Sequence, residues 1–271
     1  MPMEWEKWLP MHMNKQVVLL MAHYGCNMAA IEQKYIRLRE ELSSERYDVV
    51  LLFNVNDKSL LEETPCVDKI CIYDLQDINA LQYEPICPNL LPGSCHFPVL
   101  RFFLDHPTYT YYWFIEYDVE FTGSWNILMD AYFANNADFI ASHLRYYLED
   151  TKWEWWTRDN DVGFPLEECL KAFHPICRYS NMALTHIHHY QSAGHSAHSE
   201  LLIPTCLYHA GYRLLDMGGC GSFVEKGYEN RFYVCNEHVN TMRYRPCFSK
   251  VIPVGGQQRA ILFHPVKNIV R

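Results

Sequence analysis

Glu116 and Asp118 are separated by one residue and follow directly on the apolar run Tyr111-Tyr112-Trp113-Phe114-Ile115. Aromatic and β-branched residues of this kind suit a pleated, enclosed strand. Ionised carboxylates at the end of such a strand need a cation or hydrogen bonds to remain there. In open α/β sheets the ligand crevice lies beyond the carboxyl ends of the strands. An acid-x-acid pair in that place can hold a divalent metal against a phosphate. Far along the chain, Ile261-Leu262-Phe263-His264-Pro265-Val266-Lys267 offers a further ligand and a cation.

Glu116-Tyr117-Asp118, continued by Val119-Glu120-Phe121-Thr122-Gly123, resembles the DxD-type motif of nucleotide-sugar-dependent glycosyltransferases of the GT-A fold. Phe263-His264-Pro265-Val266-Lys267 is similar to the C-terminal metal-binding histidine segment of that superfamily. The resemblance runs from the first strand to the last segment, although only these short pieces are specific. It implies Asp118 and His264 as ligands of Mn2+ or Mg2+, with a nucleoside-diphosphate sugar as donor. The first acid is Glu rather than Asp, so Glu116 is expected to reach the metal or the ribose through water. Lys267 and Arg101 would add charge on the diphosphate. Nucleotide contacts are expected at the ends of the first two strands, from Ala22, His23 and Tyr24 and from Asn54 and Asn56. Glu200, in Ser199-Glu200-Leu201-Leu202-Ile203-Pro204, resembles the acid that precedes a helix on the acceptor side of inverting members and acts as base. Pro204 suits a first helical turn and Gly211 a helix end, which puts Glu200 just ahead of the helix. A carboxylate capping that helix is the competing reading, with Glu225 and Asp216 as other candidate bases.

The elements that would carry these groups alternate. Gln16–Ala22 reads as a buried parallel strand closed by the turn His23-Tyr24-Gly25-Cys26-Asn27. Helical spacing follows over Met28–Leu42, with Ile31, Tyr35, Leu38 and Leu42 on one face. Asp48–Phe53, Lys69–Tyr73 and Ala137–Ser142 read as strands, and Phe97–Leu104 and Trp125–Asn135 as helices. This order predicts an α/β fold, with a mainly parallel central sheet and helices on both faces. No linker or repeat divides the chain, so residues 1–271 read as one domain, with a nucleotide-binding half over about 14–145 and an acceptor half over about 146–271. In the latter, Trp153, Trp155 and Trp156 could stack on sugar rings or cover the sheet, and Arg178 could bond the acceptor. The histidines between His174 and His198 match neither HExxH nor HxHxDH, which favours structural or exposed roles over a zinc hydrolase.

With 271 residues and 49% hydrophobic content the chain can bury a large core, and a net charge of −9 argues against a nucleic-acid surface. The expected partners are therefore the sugar donor and a saccharide or other hydroxyl acceptor. A nucleotidyltransferase and a non-catalytic nucleotide-sugar-binding module are the alternatives; the former lacks a Gly-rich basic loop after the first strand. Eleven cysteines is an odd number with no CxxC pair, and residues 1–16 lack the shape of a signal peptide. These features favour free thiols and a cytoplasmic protein, with Trp5, Trp8, Leu9, Met11 and Met13 as a possible peripheral contact with the inner membrane face.

Overall fold

The computed structural model describes residues 15–88, 90–157, 161–249 and 260–267. The N-terminal segment read as a possible membrane contact lies outside them. Among the described residues, no helix is long and apolar enough to cross a membrane.

The expected α/β architecture is present. The strands are β1 (Gln16–His23), β2 (Tyr47–Asn54), β3 (Ile70–Tyr73), β4 (Tyr111–Glu116), β5 (Glu120–Phe121), β6 (Phe139–Tyr146), β7 (Leu170–Ser180), β8 (Leu214–Asp216) and β9 (Leu262–Phe263). The helices are α1 (Met28–Glu41), α2 (Leu75–Asn79), α3 (Phe97–Asp105), α4 (Trp125–Phe133), α5 (Asn181–Ser192) and α6 (Ser199–His209). A seven-stranded sheet has the order β3-β2-β1-β4-β7-β6-β8, and β5 pairs with β9 in a small second sheet. In the large sheet only β7 runs against its neighbours, β4 and β6.

Period-two alternation along β1 explains the layering. Val17 and Leu19 join Tyr112, Phe114 and the apolar sides of α3, α5 and α6 on one face. Val18 and Leu20 join Trp113, Ile115 and the buried sides of α1 and α4 on the other. Fully buried Trp113 and Trp125 anchor this second layer, and burying side chains of this kind stabilises by roughly 1.5–3 kcal/mol each.

From β1 the chain winds outward through β2 to β3, then returns to place β4 on the opposite side of β1. Winding direction therefore reverses between β1 and β4. That is the position at which a doubly wound sheet opens a crevice at its carboxyl edge. The register sets His23 beside Asn54, and Met21 beside Glu116.

The stretch containing His174 and Arg178 forms the eleven-residue strand β7, and one local expectation is corrected. Pro204 lies inside α6 rather than in its first turn, so Glu200 belongs to the helix's opening turn. Gly211, at φ +80°, follows the α6 C-cap residue Ala210 in the left-handed region, as expected of a helix end.

Candidate metal centre

β4 ends at Glu116, and the chain turns through Tyr117 and Asp118 into β5. Two backbone hydrogen bonds and one buried side chain fix this turn. Tyr117 N–H donates to the Met21 carbonyl at 2.9 Å, and Val119 N–H to that of Glu116 at 3.1 Å. From α1, the buried Lys34 ammonium donates to the carbonyls of Tyr117 and Val119 and pairs with Glu120 at 2.7 Å. Burial lowers the Lys34 pKa, while Glu120 opposes that shift.

His264 arrives through the small sheet. Pairing of Glu120 with Phe263 and of Phe121 with Leu262 delivers the next residue to the acidic turn. The Val266 N–H then donates to the Asp118 carbonyl at 2.8 Å, and His264 N–H to Thr241 at 2.9 Å. Its ring Nδ1 is 2.9 Å from the Arg243 carbonyl. A carbonyl only accepts, so Nδ1 carries the proton and Nε2 points at the acids. A carbonyl held on one ring nitrogen in this way fixes the ring's orientation and leaves the other nitrogen available to a cation.

Glu116, Asp118 and His264 each offer one ligand atom within 4.8 Å of the others. His264 Nε2 stands 3.3 Å from Glu116 Oε2 and 3.4 Å from Asp118 Oδ1. Burial alone would depress the imidazole, but its close approaches to Asp118 and Glu116 carry its pKa up to about 9. Asp118 Oδ1 is buried and accepts no hydrogen bond. Two carboxylates and one oriented imidazole fit a divalent cation, with room for further oxygen ligands. Glu116 is close enough for direct ligation, whereas the sequence reading routed it through water.

The remaining expected residues divide into groups. His23 lies at the crevice edge: burial lowers its pKa first and Lys267 second, while Asp118 opposes them. These three groups therefore share one electrostatic neighbourhood. Ala22 is buried in β1, Tyr24 is 49% exposed and Asn54 ends β2, with exposed Asn56 beyond it.

Glu200 also reaches this neighbourhood. Its side chain is only 15% exposed, and its Oε1 accepts from His174 N–H at 3.3 Å. Enclosure raises its pKa to about 8; Glu116 adds to the rise, whereas Lys171 and His264 oppose it. His198 Nδ1 accepts from the Glu200 N–H at 3.3 Å. On the His198 ring, Trp155 lies tilted at 4.5 Å and Trp153 edge-on at 5.7 Å.

Other residues are drawn elsewhere. Trp156 is buried, with its N–H on the Asp150 carbonyl at 2.7 Å, which leaves it covering the core. Arg178 is fully buried in β7. Its guanidinium donates to the carbonyls of Tyr132, Asn135 and Ala137 and lies over the Tyr111 ring, so it braces the sheet instead of meeting an acceptor. Arg101 pairs with Asp105 one turn away and lines a shallow surface depression with Asp57, Lys58, Asp74 and Asp77. Glu225 pairs with Arg213 at the surface. Among the clustered histidines, His174 is buried in β7 and His188 Nδ1 lies 2.5 Å from the Tyr83 hydroxyl.

Lys34 is the positioning residue that sequence reading missed. Three residues after Ile31, it falls on the apolar face of α1, where a charge needs buried partners. No protein-family model matches the chain, and no curated protein matches it either.

Proposed function

We propose that the protein is a metal-dependent glycosyltransferase, moving a sugar from a nucleoside-diphosphate donor to a hydroxyl acceptor with inversion. The observation that carries this reading is the convergence of Glu116, Asp118 and His264 at the crevice between β1 and β4. Glu116, Asp118 and His264 would hold Mn2+ or Mg2+. When bound, that ion supplies positive charge against the negative charge that develops on a departing diphosphate. Lys267 and His23 flank the same edge, and the ends of β1 and β2 are where the nucleotide would lie.

Glu200 is the base in this proposal. The His174 N–H holds Oε1, which fixes the carboxylate while Oε2 accepts the acceptor hydroxyl's proton. A raised pKa makes it a stronger base once ionised. Trp153 and Trp155, beside His198, form the aromatic wall for a sugar ring. Trp156 and Arg178 have no part in this assignment.

The test is direct binding. Nucleoside diphosphates titrated into the protein by calorimetry should bind with Mn2+ and lose affinity without it, and Asp118→Asn should remove the Mn2+ dependence. Donor hydrolysis or transfer, followed by release of the diphosphate, should track the same dependence. Binding that is indifferent to Mn2+ and to Asp118 would overturn the proposal.

A further inference from the structure

Remote from the acidic turn in sequence, Cys220 and Cys235 bring their sulfurs to 3.0 Å. The glycine-rich turn after β8 carries Cys220, while Cys235 N–H is held by the Asn230 side chain at 2.8 Å. Arg145 Nη2 lies 3.0 Å from the Cys220 sulfur. Its guanidinium is itself fixed by the Leu144 carbonyl at 2.7 Å and by Asp216 at 3.5 Å. Gly221 makes this approach possible, because a Cβ there would stand 2.4 Å from the guanidinium. His143 Nδ1 faces the Cys235 sulfur at 3.7 Å, and its Nε2 lies 2.6 Å from the Met242 carbonyl.

Two thiols this close could share a metal or form a bond. A guanidinium against the Cys220 sulfur disfavours a second cation, and among the described residues no ligand group of three includes these cysteines. Covalent closure needs the sulfurs to approach by only about 1 Å more. Both cysteines are half-buried, so a small disulfide can reach them.

We propose that Cys220 and Cys235 form a reversible disulfide by exchange with a low-molecular-weight disulfide such as oxidised glutathione. Cys220, facing the fixed positive charge of Arg145, attacks as a thiolate and expels one small thiolate, leaving a mixed disulfide. Cys235 then attacks the Cys220 sulfur and expels the second. The two protein protons end on the two small thiols, and the two electrons lost by the cysteines reduce the incoming disulfide. Burial first of all pushes the Cys235 thiol up to about 12, which agrees with its acting second. The bond would tie the turn after β8 to the segment that runs on to Thr241, Met242 and Arg243, the backbone that seats His264.

The test uses the full chain, reduced, desalted and then exposed to oxidised glutathione before alkylation, digestion and mass spectrometry. The expected result is a Cys220–Cys235 linked peptide, two alkylatable thiols lost per chain, and full recovery with dithiothreitol. Oxidation should raise the melting temperature by about 5–10 °C, the rise expected from closing a loop of this length in a chain of this size. Cys220→Ala with Cys235→Ala should abolish that rise. Where the double variant fails to fold, peptide mapping of the unaltered chain decides alone. Stable glutathione adducts on either cysteine, a link to any other cysteine, or continued alkylation of both would overturn the proposal.

Discussion

Two buried aspartates of this molecule meet opposite fates. Asp216, at the end of β8, is saturated: its carboxylate accepts from the N–H groups of Leu144, Gly218 and Gly219 and from the Tyr233 hydroxyl, with Arg145 beside it. Asp118, at the strand-end crevice, has a buried oxygen with no hydrogen bond, and it shares one imidazole with Glu116. A carboxylate surrounded by donors has spent its acceptor capacity on the fold. One left short of donors beside a second carboxylate retains that capacity for a cation. Burial alone does not separate the two cases, since both side chains are enclosed; the supply of donors does.

The sharpest break of this comparison is paired substitution. Asp216→Ala strands Arg145, Tyr233 and several backbone donors, and should cost about 3–5 kcal/mol of stability in denaturant titration. Asp118→Asn should cost much less in the metal-free protein while removing Mn2+ binding. Equal stability losses at the two positions would erase the distinction.

Glu200→Gln comes next. It keeps shape and removes basicity, so donor binding should persist while turnover falls by roughly 10²–10⁴-fold. Near-normal turnover with the acceptor in hand would take the base role away from Glu200.

Mn2+ should then stabilise the wild-type chain by about 2.7 kcal/mol at a hundred times its dissociation constant, and Asp118→Asn should show no such gain. Thermal melts across a Mn2+ series read this directly, and an equal rise in both proteins would break the comparison.

A further effect is in pH. The folded-state pKa of Glu200 is raised to about 8 from an ordinary carboxylate value of 4.5. The folded chain therefore holds a proton that the unfolded chain releases across this window. The stability linked to that proton is full below about 4.5 and is lost as pH rises through about 8. Metal-free wild type should lose stability along this slope, and Glu200→Gln should show a shallower one in denaturant midpoints.

Much of the sheet was legible because β1, β2 and β4 are nearly uninterrupted apolar runs bounded by turns. The acidic strand end and His264 were legible for a related reason, since charge adjoining such runs needs an account. β7 was harder to read. Lys171, His174 and Arg178 interrupt its pattern, and the carbonyls that satisfy Arg178 come from residues 132–137, distant in sequence. Pro204 misled for the opposite reason. A general preference for proline in a first turn placed the helix start late, whereas His198 caps α6 and carries Glu200 into its opening turn. Lys34 could have been found by asking what a charge does on an apolar helical face.

The pairing of β5 with β9 also sets an order of events during translation. Both carboxylates of the acidic turn leave the ribosome well before the imidazole that completes the triad. Until Leu262 and Phe263 dock against Glu120 and Phe121, a nascent chain has two acids at a strand end and no histidine to close the set. The triad is thus assembled only once residues 262–264 have emerged, after the parallel strands beneath it have been made.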